Sequence, residues 1–186
     1  MRVIAGSARR MLLETPEGKD TRPTQDIIKE TLFNMIQFEI PGCVFLDLCA
    51  GSGGIGIEAL SRGAKKAYFA ENGKEACRCI LNNLHKTHFD EEGVLLKMDV
   101  LNALRHISEK RADIIYIDPP YASDTAKEVL LALAEAPYVT AQTLIIVETS
   151  LTSDFDFLED AGYTLVREKD YHSQRHLFLR RKDGTR

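Results

Sequence analysis

An α/β fold, built on a mainly parallel seven-stranded sheet with helices on both faces, is predicted for this chain of 186 residues by three observations. Short apolar runs alternate with helical periods along most of its length, the pattern of repeated βα units. The segment Cys43-Val44-Phe45-Leu46-Asp47-Leu48-Cys49-Ala50-Gly51-Ser52-Gly53-Gly54-Ile55-Gly56 carries an apolar strand into a glycine-rich turn, then into a helical pattern through Ile57, Ala59 and Leu60. The run Ala112-Asp113-Ile114-Ile115-Tyr116-Ile117 reads as a buried parallel strand rather than an alternating half-exposed one, and it ends on Asp118-Pro119-Pro120-Tyr121.

The elements follow in order. A small hairpin opens the chain, with arms at 2–5 and 11–13 and a turn through Gly6-Ser7-Ala8-Arg9. After the loop from Thr15 to Asp20, apolar residues at 27, 28, 32, 35 and 36 give a helix over 24–38, capped by Thr24 with Pro23 just ahead. A strand at 43–49, a helix to Arg62, a strand at 66–71, a helix over 74–88 and a strand at 94–98 come next. Helix 101–109, strand 112–117, helix 124–135, strand 143–149 and helix 153–161 follow, and 164–168 with 176–181 make a closing antiparallel pair. The sequence contains no internal repeat and no low-complexity segment.

With 44% hydrophobic residues, residues 1–186 suit one domain. A chain of this size removes about 70% of its unfolded surface from water. Within it, 1–38 forms an N-terminal extension and 39–186 a core. The opening Met1-Arg2-Val3-Ile4-Ala5-Gly6 lacks the apolar stretch of a signal peptide, and no run is long enough to span a membrane, so a cytoplasmic protein is expected. Cys43, Cys49, Cys77 and Cys79 include no C-x-x-C pair and are expected as reduced, buried thiols. His85 and His88 lie three apart on a helix without a third ligand at the usual spacing, so no metal site is expected.

The net charge of −4 argues against binding nucleic acid by bulk electrostatics alone, but the ends are basic. Residues 1–23 carry five Lys and Arg against three acids, and residues 165–186 carry seven against three. If both ends approach one face they can touch phosphates, while the acidic middle holds a cationic ligand.

Two clusters carry the chemistry. Gly51, Gly53 and Gly56 satisfy G-x-G-x-x-G, and Glu71 ends the next apolar stretch where a ribose-binding acid belongs, so a dinucleotide site is one reading. Asp47, four residues before Gly51, and Asp99, after the run Val94-Leu95-Leu96-Lys97-Met98, favour S-adenosylmethionine instead. That much negative charge repels a pyrophosphate and suits a sulfonium with an ammonium group. The cofactor set is Asp47, Ala50, Gly51, Ser52, Gly53, Glu71, Asn72, Asp99 and Val100. The second cluster is Asp118-Pro119-Pro120-Tyr121 at a strand tip, where a carboxylate, a fixed carbonyl and an aromatic plate can grip a planar amine. A simpler reading is a strand stop followed by a helix cap at Ser123 or Asp124.

The chain resembles the bacterial small-subunit ribosomal RNA guanine-N2 methyltransferases, which modify a single guanine in the head of the 30S particle. The resemblance spans essentially the whole length, through Arg2-Val3-Ile4-Ala5-Gly6, Arg22-Pro23-Thr24 with Asp26, and Glu30-Thr31-Leu32-Phe33-Asn34. It continues through Asp47-Leu48-Cys49-Ala50-Gly51-Ser52-Gly53, Glu58-Ala59-Leu60-Ser61-Arg62-Gly63-Ala64 and Asp118-Pro119-Pro120-Tyr121. Cys49 stands where the family often has Phe, and Tyr171-His172-Ser173-Gln174 replaces a glycine-containing turn. The resemblance implies a Rossmann-like class I methyltransferase fold with its last strand antiparallel. It implies transfer of a methyl group from S-adenosylmethionine to the N2 amine of one guanine in 16S ribosomal RNA, free or within an assembling 30S subunit. Asp118, Pro119, Pro120 and Tyr121 are then the catalytic grip, and Arg2, Arg9, Arg10, Arg22 and Thr24 the RNA contacts, with no metal and no membrane. Methylation of another planar amine, in DNA or a protein glutamine, uses the same grip but usually with Asn in place of Asp118. The residues also leave open a dinucleotide-dependent oxidoreductase and a non-catalytic RNA-binding module.

Overall fold

The central strand, β1 (Val44–Leu48), lies between β2 (Lys66–Glu71) and β4 (Ile114–Ile117), and every one of its residues is buried. With β3 (Gly93–Lys97), β5 (Leu144–Ser150), β6 (Tyr163–Asp170) and β7 (Gln174–Arg181), they form one sheet in the order β3-β2-β1-β4-β5-β7-β6. The first five strands run parallel, and β7 is antiparallel to both β5 and β6. This computed structural model describes residues 1–17, 23–120 and 124–182, with backbone alone for Pro23 and Thr24.

Continuous apolar strands need cover on both faces, and the chain supplies it. On one face α1 (Pro23–Met35), α2 (Gly54–Ser61) and α3 (Lys74–Thr87) pack over Phe45, Phe69, Tyr116 and Ile146. On the other, α4 (Val100–Leu104) and α5 (Thr125–Ala134) cover Leu46, Leu48, Ile115, Ile117 and Val147. The first helix sends Leu32 and Phe33 fully into the core, each worth about 1.5–3 kcal/mol of burial.

The order of elements follows the sequence expectation, with four departures. The opening hairpin has a single bridge, Arg2 with Leu12, supported by Val3 N–H to Met11 O and Leu13 N–H to Met1 O. The first helix starts at Pro23, so Thr24 is its second residue rather than its cap, and it ends at Met35, short of 38. Helix α4 stops at Leu104 instead of continuing to 109, because the chain turns back to β2. There Glu109 accepts from Lys66 and Tyr68, and the Leu104 carbonyl accepts from the Tyr138 hydroxyl. The helix expected at 153–161 is only a 3₁₀ turn, Asp156–Leu158. Asp154 bonds the Asp156 N–H and Ser150 bonds Ser153, local contacts that compete with a helical ladder.

The N-terminal segment is tied down by buried polar groups. Fully buried Glu58 accepts from the Ile4 and Ala5 N–H groups at 2.8 and 3.0 Å and from Arg62 Nε at 2.7 Å. Lys29 Nζ lies 3.5 Å from the same carboxylate. Ser61 bonds Ala8 N–H and Ala5 O, and a Cβ on Gly6, at φ 85°, would lie 1.7 Å from Ser61 O. Asn83 bonds both backbone groups of Glu14 and also the Ser52 carbonyl. The hairpin therefore lies along α2, with its turn at the helix C-terminal end and Met1 at the N-terminal end, where a Cβ on Gly54 would strike Met1 Sδ.

Candidate active site

In an open α/β sheet the ligand crevice lies where the strand order reverses, beyond the carboxyl ends. Here that point falls between β1 and β4. The Asp118 N–H bonds Leu48 O at 3.3 Å, so the end of β4 stays against the end of β1.

The turn after β1 depends on backbone that side chains resist. Cys49, Gly51 and Gly53 have φ of 66°, 56° and 79°, and the first of these is left-handed despite carrying a side chain. Two carboxylates pin the loop. Glu71, at the tip of β2, accepts from Gly51 N–H at 2.8 Å and Gly73 N–H at 2.7 Å, and Asp47, inside β1, accepts from Gly56 N–H at 2.8 Å. The glycines have separate tasks. A Cβ on Gly51 would meet nothing within 4 Å, so that backbone borders open space, whereas one on Gly56 would lie 2.3 Å from the Phe69 ring. Gly56 is thus required for α2 to approach β2, and Gly51 keeps backbone accessible to a ligand.

The space is a cleft of about 1220 Å³. Ala50, Gly51 and Ser52 line it from the turn, Glu71 and Asn72 from β2, Asp99 and Val100 from the start of α4, and Asp118, Pro119 and Pro120 from the end of β4. Met1, Thr15, Pro16 and Gln25 form the rim from the N-terminal segment and α1. Asp99 caps α4, accepting from Asn102 N–H at 3.0 Å and its side-chain amide at 2.6 Å, and these bonds hold its carboxyl below the usual range. Glu71, Asp99, Asp118 and Glu128 are the acids of the wall, and no Lys or Arg is among its described residues.

Asp47 and Gly53 do not line this cleft. The Asp47 side chain is 2% exposed, and burial pushes its carboxyl from the usual 3.8 up to about 7. Burial, with Asp118, Asp47 and Glu71 nearby, likewise pushes the Cys49 thiol to about 12. All four cysteines are free thiols, three of them buried, and among the described residues no His, Cys, Asp and Glu cluster could hold a metal ion. No helix among them is long and apolar enough to cross a membrane.

Of the residues expected to meet RNA, Arg2 is ion-paired with Asp26 at 3.0 Å, and Arg9 and Arg10 are exposed on the hairpin turn by the far end of α2. Arg22, Tyr121, and the Thr24 side chain lie outside the described residues. The basic tail is largely engaged within the fold. Arg175 pairs with Glu168, Arg180 with Glu39, and Lys182 with Glu159. Asp124 occupies the cap position of α5, as one reading of the sequence expects.

Sequence reasoning missed a second cavity, about 130 Å³, which also borders Asp118 and runs beneath α1. A polar chain anchored on buried Tyr116 and His176 closes it. The Tyr116 hydroxyl donates to Glu148 Oε2, His176 Nε2 lies 2.9 Å from the same oxygen, and the Tyr171 hydroxyl lies 3.3 Å from His176 Nδ1. Burial, with Glu148 and Asp118 close by, raises the Tyr116 hydroxyl well above its usual 10. The sequence held a usable signal, since Glu148 closes the apolar run 144–147 much as Asp118 closes Ile114–Ile117.

The family model described as conserved hypothetical protein 95 matches residues 1–180. The ribosomal RNA small subunit methyltransferase D of Haemophilus influenzae is 33% identical over 91% of this chain and 88% of its own. Its Escherichia coli namesake is 30% identical over 91% and 84%. Among solved structures, the Escherichia coli protein yhhF superposes with a TM-score of 0.82 at 28% identity, covering 98% of both chains. A carboxylate-lined crevice at the sheet's switch point, a full-length family match and these relatives agree: the chain belongs to the conserved hypothetical protein 95 family, that of the small-subunit ribosomal RNA methyltransferases D, with the class I S-adenosylmethionine-dependent methyltransferase fold.

Proposed function

We propose that this chain transfers a methyl group from S-adenosylmethionine to the exocyclic N2 amine of one guanine in small-subunit ribosomal RNA. The observation that carries the reading is the sharing of one cleft by the glycine turn, Glu71, Asp99 and the Asp118-Pro119-Pro120 tip. Family membership supports ribosomal RNA methylation as the activity, and the strand-tip grip supports the amine as its target.

The lining residues fit the cofactor. Gly51 leaves its backbone open to a ligand, Glu71 is oriented by two N–H groups with acceptor capacity remaining for ribose hydroxyls, and Asp99 lines the cleft at the start of α4, where it would hold the adenosine. Four acids and no Lys or Arg among the described lining residues suit a ligand bearing a sulfonium and an ammonium, and oppose a pyrophosphate. This charge balance disfavours the dinucleotide reading. S-adenosylmethionine, when bound, supplies an electrophilic methyl group. Asp47 acts one layer behind, holding the start of α2 in place through Gly56.

The nitrogen of guanine N2 is a weak nucleophile because its lone pair is delocalised into the ring. Asp118 and the Pro119 carbonyl each accept one of its N–H bonds, favouring a pyramidal nitrogen whose lone pair points into the cleft. Orientation of this kind can contribute up to roughly 7–11 kcal/mol. Tyr121, outside the described residues, stacks on the flipped base in this reading, a contact worth about 1–3 kcal/mol. Arg9 and Arg10 contact RNA backbone away from the target base.

The test is methyl transfer from labelled cofactor to small-subunit ribosomal RNA, free and in partly assembled particles, followed by mapping of the modified nucleotide. A new N2-methylguanine in one RNA species is expected. Label appearing in protein, DNA or another base would refute the reading.

A further inference from the structure

We propose that Glu148 selects guanine by accepting the N1–H of the base while Asp118 holds the adjacent N2 amine, an inference resting on the guanine reading above. Strand register brings the two carboxylates together. The β4–β5 pairing aligns Tyr116 with Ile146 and Ile117 with Val147, and the β5–β7 pairing aligns Glu148 with His176. Side chains two apart on a strand share a face, as do cross-strand partners, so Tyr116, Asp118, Glu148 and His176 emerge on the same face.

The cavities fit this division of labour. Asp118 borders both the large cleft and the smaller cavity, whereas Glu148 borders only the smaller one. The smaller cavity shares Met1, Gln25, Ile55 and Asp118 with the cleft but none of Ala50, Gly51, Ser52, Glu71 or Asp99, so the ring of a base held by its amine at Asp118 would extend into it. Glu148 is aimed there by its partners, since the Tyr116 hydroxyl and His176 Nε2 both meet Oε2. A carboxylate has about four acceptor sites, which the Tyr116 and His176 donors at Oε2 do not exhaust.

The base chemistry then decides which base fits. Guanine presents two neighbouring donors, N1–H and the N2 amine, which match two neighbouring carboxylates. Adenine and cytosine carry an amine beside a ring nitrogen with a lone pair, which a carboxylate repels. Glu148 thus separates guanine from the planar amines that Asp118 alone could accept.

The experiment compares wild type and Glu148→Gln on RNA bearing guanine or 2,6-diaminopurine at the mapped position. The analogue keeps the N2 amine but has an acceptor at N1. Wild type is expected to prefer guanine by about tenfold to a hundredfold in kcat/KM, the range of a hydrogen bond to a charged group. The Gln variant, whose amide can donate, is expected to lose most of that preference with its affinity for S-adenosylmethionine unchanged. An unaltered ratio in that variant overturns the proposal. If Glu148→Gln fails to bind cofactor and so is misfolded, Tyr116→Phe removes one of the donors aiming Glu148 and is expected to narrow the ratio; an unchanged ratio there also overturns it. Wild type methylating guanine without preference over the analogue overturns this inference alone, and wild type methylating neither overturns the guanine reading with it.

Discussion

Replacing Asp47 with Asn separates a scaffold carboxyl from a ligand contact. Its carboxyl is buried in β1, accepts the Gly56 N–H at 2.8 Å, and is raised by burial from 3.8 to about 7. The sign follows from proton counts. Between those values the unfolded chain has released the proton and the native state retains it, so stability falls as pH rises through that window and is level above it. Each unit of difference is about 1.36 kcal/mol, so the whole shift amounts to at most about 4 kcal/mol. Asn keeps an acceptor for Gly56 and does not titrate. In urea unfolding, the stability of Asp47→Asn relative to wild type is expected to rise by about 2–3 kcal/mol between about pH 5 and about pH 8. Calorimetric affinity for S-adenosylmethionine should change little, because this side chain does not line the cleft. A pH-independent difference combined with a large loss of cofactor affinity would refute the reasoning and make Asp47 a direct ligand.

Three other perturbations address catalysis, docking and RNA binding. Asp118→Ala is expected to keep cofactor affinity and lose about a hundredfold in methyl transfer, with Asp118→Asn less impaired since its amide oxygen still accepts; single-turnover rates decide. Glu58→Ala leaves Lys29 and two backbone N–H groups without their shared acceptor, and should cost about 3–5 kcal/mol in thermal or urea unfolding. The double variant Arg9→Ala with Arg10→Ala should weaken RNA binding, lower its salt slope by about 1–2, and leave cofactor affinity alone; an unchanged slope makes these arginines ordinary solvated surface.

Much of the fold was legible because its central strands are continuous apolar runs with abrupt ends. The Ile114–Ile117 strand and its two prolines, and the glycines after Leu48, strongly restrict the chain path. Segments whose state depends on distant partners were not legible. The residues after Leu104 have helical composition, yet Glu109 is drawn to Lys66 and Tyr68 from across the sheet. The candidate site divided in the same way. The cleft residues sit in the glycine turn, the proline motif and the ends of apolar runs, whereas Tyr116 is 32 residues from Glu148 and Glu148 is 28 from His176, and they meet only through strand register. Asp47 was a particular case, since its spacing from Gly51 is the same whether the carboxylate turns toward a ligand or toward Gly56. Burial separates the two, and burial is a property of the assembled sheet.

The anchoring of the first fourteen residues on Glu58, Ser61 and Asn83 has a consequence for biosynthesis. Those residues leave the ribosome before any of their partners, so during translation they wait unpaired until α2 and α3 have been made. The mouth of the cleft is therefore finished by polypeptide made earlier than the helices that hold it, and a chain interrupted before Asn83 lacks one of its anchors.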